Sequence, residues 1–242
     1  MNQAQNQTHI APGCQKAKGV ALTSLMLLAL LPSQAMAVPV ADGSMVALSG
    51  TTLATRPELA GLVVEDVLRP FTIRLLGGGQ INGTLQDRVV REDISGTLDF
   101  YYRIFNAVSS SGGAGNSPNL NDGVIRRYFP LDFTTDVDWR IDGEGSIAPL
   151  SAGRGGGGTA VGFDFGFANP IEPGEDSRFF FVRTNATAYD DGGSVQINGG
   201  LDLFDLTFVT TFQPVAVPEP ATWLLLGSGV IGIAFARRYV AA

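Results

Sequence analysis

The side chains able to do acid–base or metal chemistry in this sequence are almost all carboxylates. Asp136 and Asp138 stand two apart in "TDVDWRID", Asp142-Gly143-Glu144 follows at once, and Asp190-Asp191 precedes two glycines. Calcium takes roughly six to eight hard oxygen ligands, often from such acidic turns. A pair of carboxylates also suffices for glycoside hydrolysis, which needs no histidine. Against both stands ordinary backbone chemistry. Asp and Gly build β-turns, and acids two apart share one face of any regular strand, ~7 Å from each other. The spacing of an EF-hand loop is absent. Asp136, Asp138, Asp190 and Asp191 are therefore weak calcium candidates, solvated faces and turns being the simpler expectation. No metal site, cofactor or catalytic residue is assigned.

Other chemistries lack their residues. The sole cysteine, Cys14, and the sole histidine, His9, lie near the N-terminus. Gly153 to Gly158 matches G-x-G-x-x-G literally. A dinucleotide site needs a helix after that motif, and a strand pattern follows here. The expectation is a protein that is not an enzyme.

The elements that must position these acids follow a period of two. In "TDVDWRID", Val137, Trp139 and Ile141 face one way and the acids the other. "ISGTLDFYYRIF" lines up Leu98, Phe100, Tyr102 and Ile104, and "AVGFDFGFA" lines up Val161, Phe163, Phe165 and Phe167. "RFFFVRT" is apolar on both faces, the mark of a central strand. "DLTFVTTF" reads as the last strand, with "QPVAVPEP" as a linker after it. No stretch is a convincing amphipathic helix, a short turn near Glu58 to Leu68 excepted. The Gly-rich joints at Gly77–Gly79, "SSSGGAG" and "GRGGGG" read as surface loops. The expected fold is all-β, an antiparallel β-sandwich of about 8–10 strands.

Both ends differ from this middle. Lys16 and Lys18, the apolar run Gly19 to Leu31, and Ala35 and Ala37 spaced A-x-A read as a secretory signal peptide over residues 1–37. Cysteine and histidine chemistry is thus lost on export. At the other end, residues 221–236 carry no charge and as a helix span about 24 Å. This is short against a hydrocarbon core of about 30 Å. Trp223 and Tyr239 suit its interfaces, and Arg237 and Arg238 place the C-terminus on the cytoplasmic side. The expected division is a signal peptide at 1–37, an ectodomain at 38–213 and a tail at 214–242. The ectodomain holds 22 acids against 12 basic residues, all arginine. Such a surface repels nucleic acid and favours solubility.

Val217-Pro218-Glu219-Pro220, the apolar run and Arg237-Arg238, in that order, resemble the PEP-CTERM sorting signal. The resemblance covers about 26 residues, and its basic cluster is only two arginines. It implies an exported protein of an exopolysaccharide-producing Gram-negative bacterium. The general secretion machinery would export the chain, and the tail would hold it transiently in the inner membrane. A membrane-embedded exosortase would recognise Pro218, Glu219 and Pro220 and cut near them. The two prolines fix φ and withhold backbone donors, which keeps the segment extended. The product would end at the outer surface or in the extracellular matrix, beside exopolysaccharide in a biofilm. The middle of the chain, through "SGTLDFYYRI" and "IEPGEDSRFFFVRTNATAY", is similar to other exported PEP-CTERM ectodomains without an assigned activity. Two alternatives stay open for it: a calcium- or carbohydrate-binding module, and a carboxylate-dependent extracellular glycoside hydrolase.

Overall fold

The computed structural model describes residues 38–126, 133–199 and 207–216. The signal peptide with Ala35 and Ala37, the Pro-Glu-Pro motif, the apolar run and Arg237-Arg238 lie outside the described residues.

The described chain is all-β and antiparallel. Its strands are β1 (Val38–Pro39), β2 (Met45–Ala47), β3 (Gly61–Arg74), β4 (Gln80–Glu92), β5 (Leu98–Asn106) and β6 (Leu120–Arg126). Then come β7 (Asp136–Trp139), β8 (Ser151–Arg154), β9 (Ala160–Asp164), β10 (Phe180–Arg183), β11 (Ala188–Gly199) and β12 (Thr207–Val215). They form two six-stranded sheets, ordered β1-β7-β10-β5-β4-β3 and β12-β11-β6-β9-β8-β2. Short edge pieces such as β1 and β2 lift the strand number above the 8–10 expected.

The inner faces make the core. Alternation sends Leu98, Phe100, Tyr102 and Ile104 of β5 inward, with Val137 of β7 and Phe180 and Val182 of β10. Val161 and Phe163 of β9, and Phe165 beyond it, answer from the other sheet, and the Phe163 and Phe180 rings meet at 4.6 Å. Such rings contribute through buried area and through tilted ring contacts. Trp139 packs against this core from β7, as its alternation predicts. Ile141 lies past the strand end and is exposed.

Three local expectations are corrected. The stretch from Glu58 to Leu68 is helical only in a 3-10 turn at Pro57–Leu59, and from Gly61 it is strand β3. Asp190 to Gly193 is not a turn. It lies inside β11, where the register slips between Asp190 and Gly193 as a β-bulge. β12 does not stop at Phe212 but continues through Gln213 and Pro214 to Val215, which pairs with Ala188. Pro214 is tolerated because β12 is an edge strand. The β3–β4 hairpin closes at Gly77 and Gly78, both at positive φ, where a side chain would be strained.

Candidate functional site

The outer face of the first sheet is not a solvated face. Registry sets Asp99, Tyr101 and Arg103 of β5 on it, beside Arg88 and Val90 of β4 and Phe181 and Arg183 of β10. The segment leading into β3 lies over them. Leu59 from the 3-10 turn joins Val90, Tyr101, Phe179 and Phe181 in a second, smaller core. Arg56 is buried with it, its guanidinium 5.6 Å from the Phe181 ring centre and its Nε donating to Glu58 at 2.9 Å. Arg88 sits over Phe179 at 4.5 Å. With no lysine in this region, arginine supplies these stacked contacts.

One edge of that layer holds a carboxylate cluster. Arg183 donates to Glu92 through Nε and again through Nη2 at 3.1 Å, and lies 3.7 Å from Asp136. Ser95 also donates to Glu92. Asp99, fully buried beside Glu92, has neither carboxylate oxygen facing a donor. A hydrogen bond between the two acids exists only when one is protonated. Burial, and then the Glu92 charge, push Asp99 up to about 8, whereas Arg183 and Ser95 hold Glu92 low against its own burial. Split carboxylates of this kind serve as acid and base in some enzymes. Here both are sealed, and neither lines the nearby groove.

That groove, about 470 Å³, runs along the same face. Tyr101, Phe179 and Val90 form its floor, with Arg88, Arg140 and Glu144 on its sides. The Tyr101 hydroxyl lies beside Arg140 without a hydrogen bond of ordinary geometry. A second hollow of about 430 Å³ covers Gly153 and Gly162 of the other sheet, bordered by exposed Met45.

The structure separates the four weak calcium candidates into two pairs with separate structural partners. Asp138 is buried and accepts the backbone N–H groups of Gly50 and Trp139, both at 2.9 Å. Asp136 faces Arg183, and burial raises both carboxyls. Asp138 is not on a solvated face, because the segment around Gly50 covers it, and Asp136 is partly covered beside Arg183. A Cβ on Gly50 would stand 2.5 Å from the Trp139 ring, so only glycine lets that segment close. Asp190 accepts the Gly192 N–H at 2.9 Å, and Asp191 pairs with Arg69 at 2.7 Å. Among the described residues, no group of three or more His, Cys, Asp or Glu side chains converges to hold a metal. Asp138→Ala, which leaves two inward N–H groups without an acceptor, should cost about 2–4 kcal/mol. Asp138→Asn keeps an acceptor and should cost less than half of that, as read from urea denaturation midpoints.

At the opposite edge, β3 and β12 lie against each other. Thr207 Oγ1 donates to the Thr72 carbonyl at 3.0 Å. Asp87 of β4 points inward in line with Leu85 and Val89 and is fully buried. Its Oδ2 accepts Arg69 Nε at 2.9 Å and the Phe212 N–H at 3.0 Å. Arg69 continues to Asp191 and lies 4.8 Å from the Phe212 ring centre. Burial pushes Asp87 up to about 6 against the pull of Phe212 N–H, Thr211 and Arg69. Sequence reading missed Asp87 and Asp99. For Asp87 a signal existed: a lone acid on the apolar side of an alternating strand needs a buried partner.

This clamp holds the strand from which the tail departs. Val215 ends β12, and only Ala216 and Val217 separate it from Pro218. In sequence, the last strand is followed by Pro-Glu-Pro, an uncharged run and paired arginines. Residues 216–238 match the PEP-CTERM protein-sorting motif. The chain is thereby marked as an exosortase substrate, exported and sorted to the cell surface. No curated protein and no solved structure matched the chain.

Proposed function

We propose that the chain is a non-enzymatic surface or extracellular-matrix protein of an exopolysaccharide-producing Gram-negative bacterium. The secretion machinery exports it, residues 221–236 hold it in the inner membrane with Arg237 and Arg238 inside, and an exosortase cuts near Pro218–Pro220. The freed sandwich then acts as a structural or adhesive module beside exopolysaccharide. The match at 216–238, continuous with the clamped strand β12, carries this reading. The acids support the non-enzymatic part. Asp87, Asp136, Asp138 and Glu92 each face structural donors or cations rather than a cleft. A second reading, a carbohydrate-binding module, is favoured by the groove over Tyr101, whose apolar floor and charged sides suit a sugar's two faces.

The test is the intact mass of the exported product in such a host. The expected mass lacks residues 1–37 and the tail beyond the Pro-Glu-Pro region. Replacing Pro218, Glu219 and Pro220 by alanine should leave the tail attached and the protein in the membrane. A tail retained by the unaltered chain would instead make it a permanently anchored ectodomain.

A further inference from the structure

The end of the sandwich from which the tail departs carries exposed apolar side chains. Leu62 and Val63, at the start of β3, are 67 % and 46 % exposed, and Ile94 in the β4–β5 turn is 77 % exposed. Hydrogen bonds and registry join them to the exit. Gly61 and Leu62 pair with Glu92 and Arg91, and Asp93 N–H donates to the Ala60 carbonyl at 3.0 Å. Arg91 donates to the Thr187 carbonyl at 3.3 Å, and the next residue, Ala188, pairs with Val215. Isolated exposed apolar residues elsewhere, such as Met45, Phe167 and Phe208, need no explanation of this kind.

Chain length decides what lies opposite this end. From Val215 to Ala221, where the uncharged run begins, there are six residue steps. Fully extended they reach about 20 Å. The headgroup layer takes up about 5–8 Å of that. While the tail is in the bilayer, the exit end therefore cannot leave the membrane surface.

We propose that this end is a lipid-contacting face, with Leu62, Val63 and Ile94 resting in the interface of the bilayer that holds the tail. The proposal rests on the reading of residues 221–236 as a membrane anchor. Asp93 lies among these side chains and the ectodomain is acidic, so the contact is apolar and charge does not drive it. Its consequence is orientation: the sandwich stands on one end, and Pro218 to Pro220 are held at the depth where a membrane enzyme works.

The experiment uses the exported form with its tail, residues 38–242, which holds no cysteine, reconstituted in phosphatidylcholine vesicles that contain brominated lipid. A fluorophore is placed at Ile94→Cys or, beyond the far end of β5, at Val108→Cys, where the native side chain is 82 % exposed. Lipid should quench the probe at 94 several-fold more than that at 108. Equal quenching at both positions overturns the proposal. Nearness and contact are separated by a probe at Leu62→Cys: adding Ile94→Asp should reduce its quenching by about twofold or more, since a carboxylate avoids the interface. No change would mean that the tether alone sets the distance, and the lipid face falls. A chain that fails to float with the vesicles overturns the anchor reading and the proposal together, whereas a floating chain with an unquenched position 94 overturns the proposal alone.

Discussion

Asp87→Ala will unfold at lower denaturant, with a loss of about 3–5 kcal/mol, the range for a buried ion pair broken from one side. Two groups lose their partner at once. The Phe212 N–H faces an empty space, and Arg69 keeps only the exposed Asp191. The cavity is lined by Leu85, Val89 and Tyr102, which are fully buried, so water cannot take over cheaply. Asp87→Asn keeps one acceptor and should fall between the variant and the unaltered protein. Because the damage is local to β12, limited proteolysis should find new cuts between residues 207 and 215 before the rest of the domain opens. A loss under about 1 kcal/mol with an unchanged digest would show that β12 is held by its ladder with β11 alone.

The second large effect is in pH. Acids that fold into dry surroundings bind protons more tightly folded than unfolded. Asp99 is raised from the ordinary 3.8 to about 8 and Asp87 to about 6, and Asp136 and Asp138 move the same way. For such a group the unfolded chain releases its proton first, so stability falls as pH rises from the unfolded value to the folded one, then levels off. Glu92 is lowered, so its contribution runs the other way: present above its ordinary value and lost as pH falls through its folded one. The sum predicts a domain most stable on the acid side of neutrality. It should lose a few kcal/mol between about pH 5 and pH 8, mostly through Asp99. Asp99→Asn imitates the protonated acid and can still donate to Glu92. Thermal melts from pH 3 to pH 9 should show similar midpoints below about pH 4, an advantage for the asparagine variant that grows as pH rises toward 8, and a level difference above that. Parallel curves would place the pH dependence elsewhere.

How much of this was legible beforehand depended on whether the cause was local. Period two placed Val137, Trp139, Phe100, Tyr102 and Phe163 inward, and the doubly apolar "RFFFVRT" became β10, one of the two middle strands. The burial of Asp99, Asp138 and Tyr101 was not legible. It depends on residues 50–60 folding across the outer face, a contact between segments far apart in sequence, and alternation reports only which side a residue takes. Asp190 to Gly193 misled for a different reason: the same residue types that close a turn also relax a bulge. The tail was the most readable part, because a sorting signal is recognised as an ordered string and needs no tertiary context.

Among the described residues the strands begin at Val38 and reach Val215, against an expected signal-peptide cut after Ala37 and a sorting motif matched from residue 216. Trimming at those two places, as proposed above, would fall at the margins of hydrogen-bonded sheet. A domain trimmed at both places has almost no loose chain for an exopeptidase to grip, and no cysteine to be oxidised or scrambled. Outside the cell, where no chaperone can refold it, a domain so trimmed would offer exopeptidases little to start from.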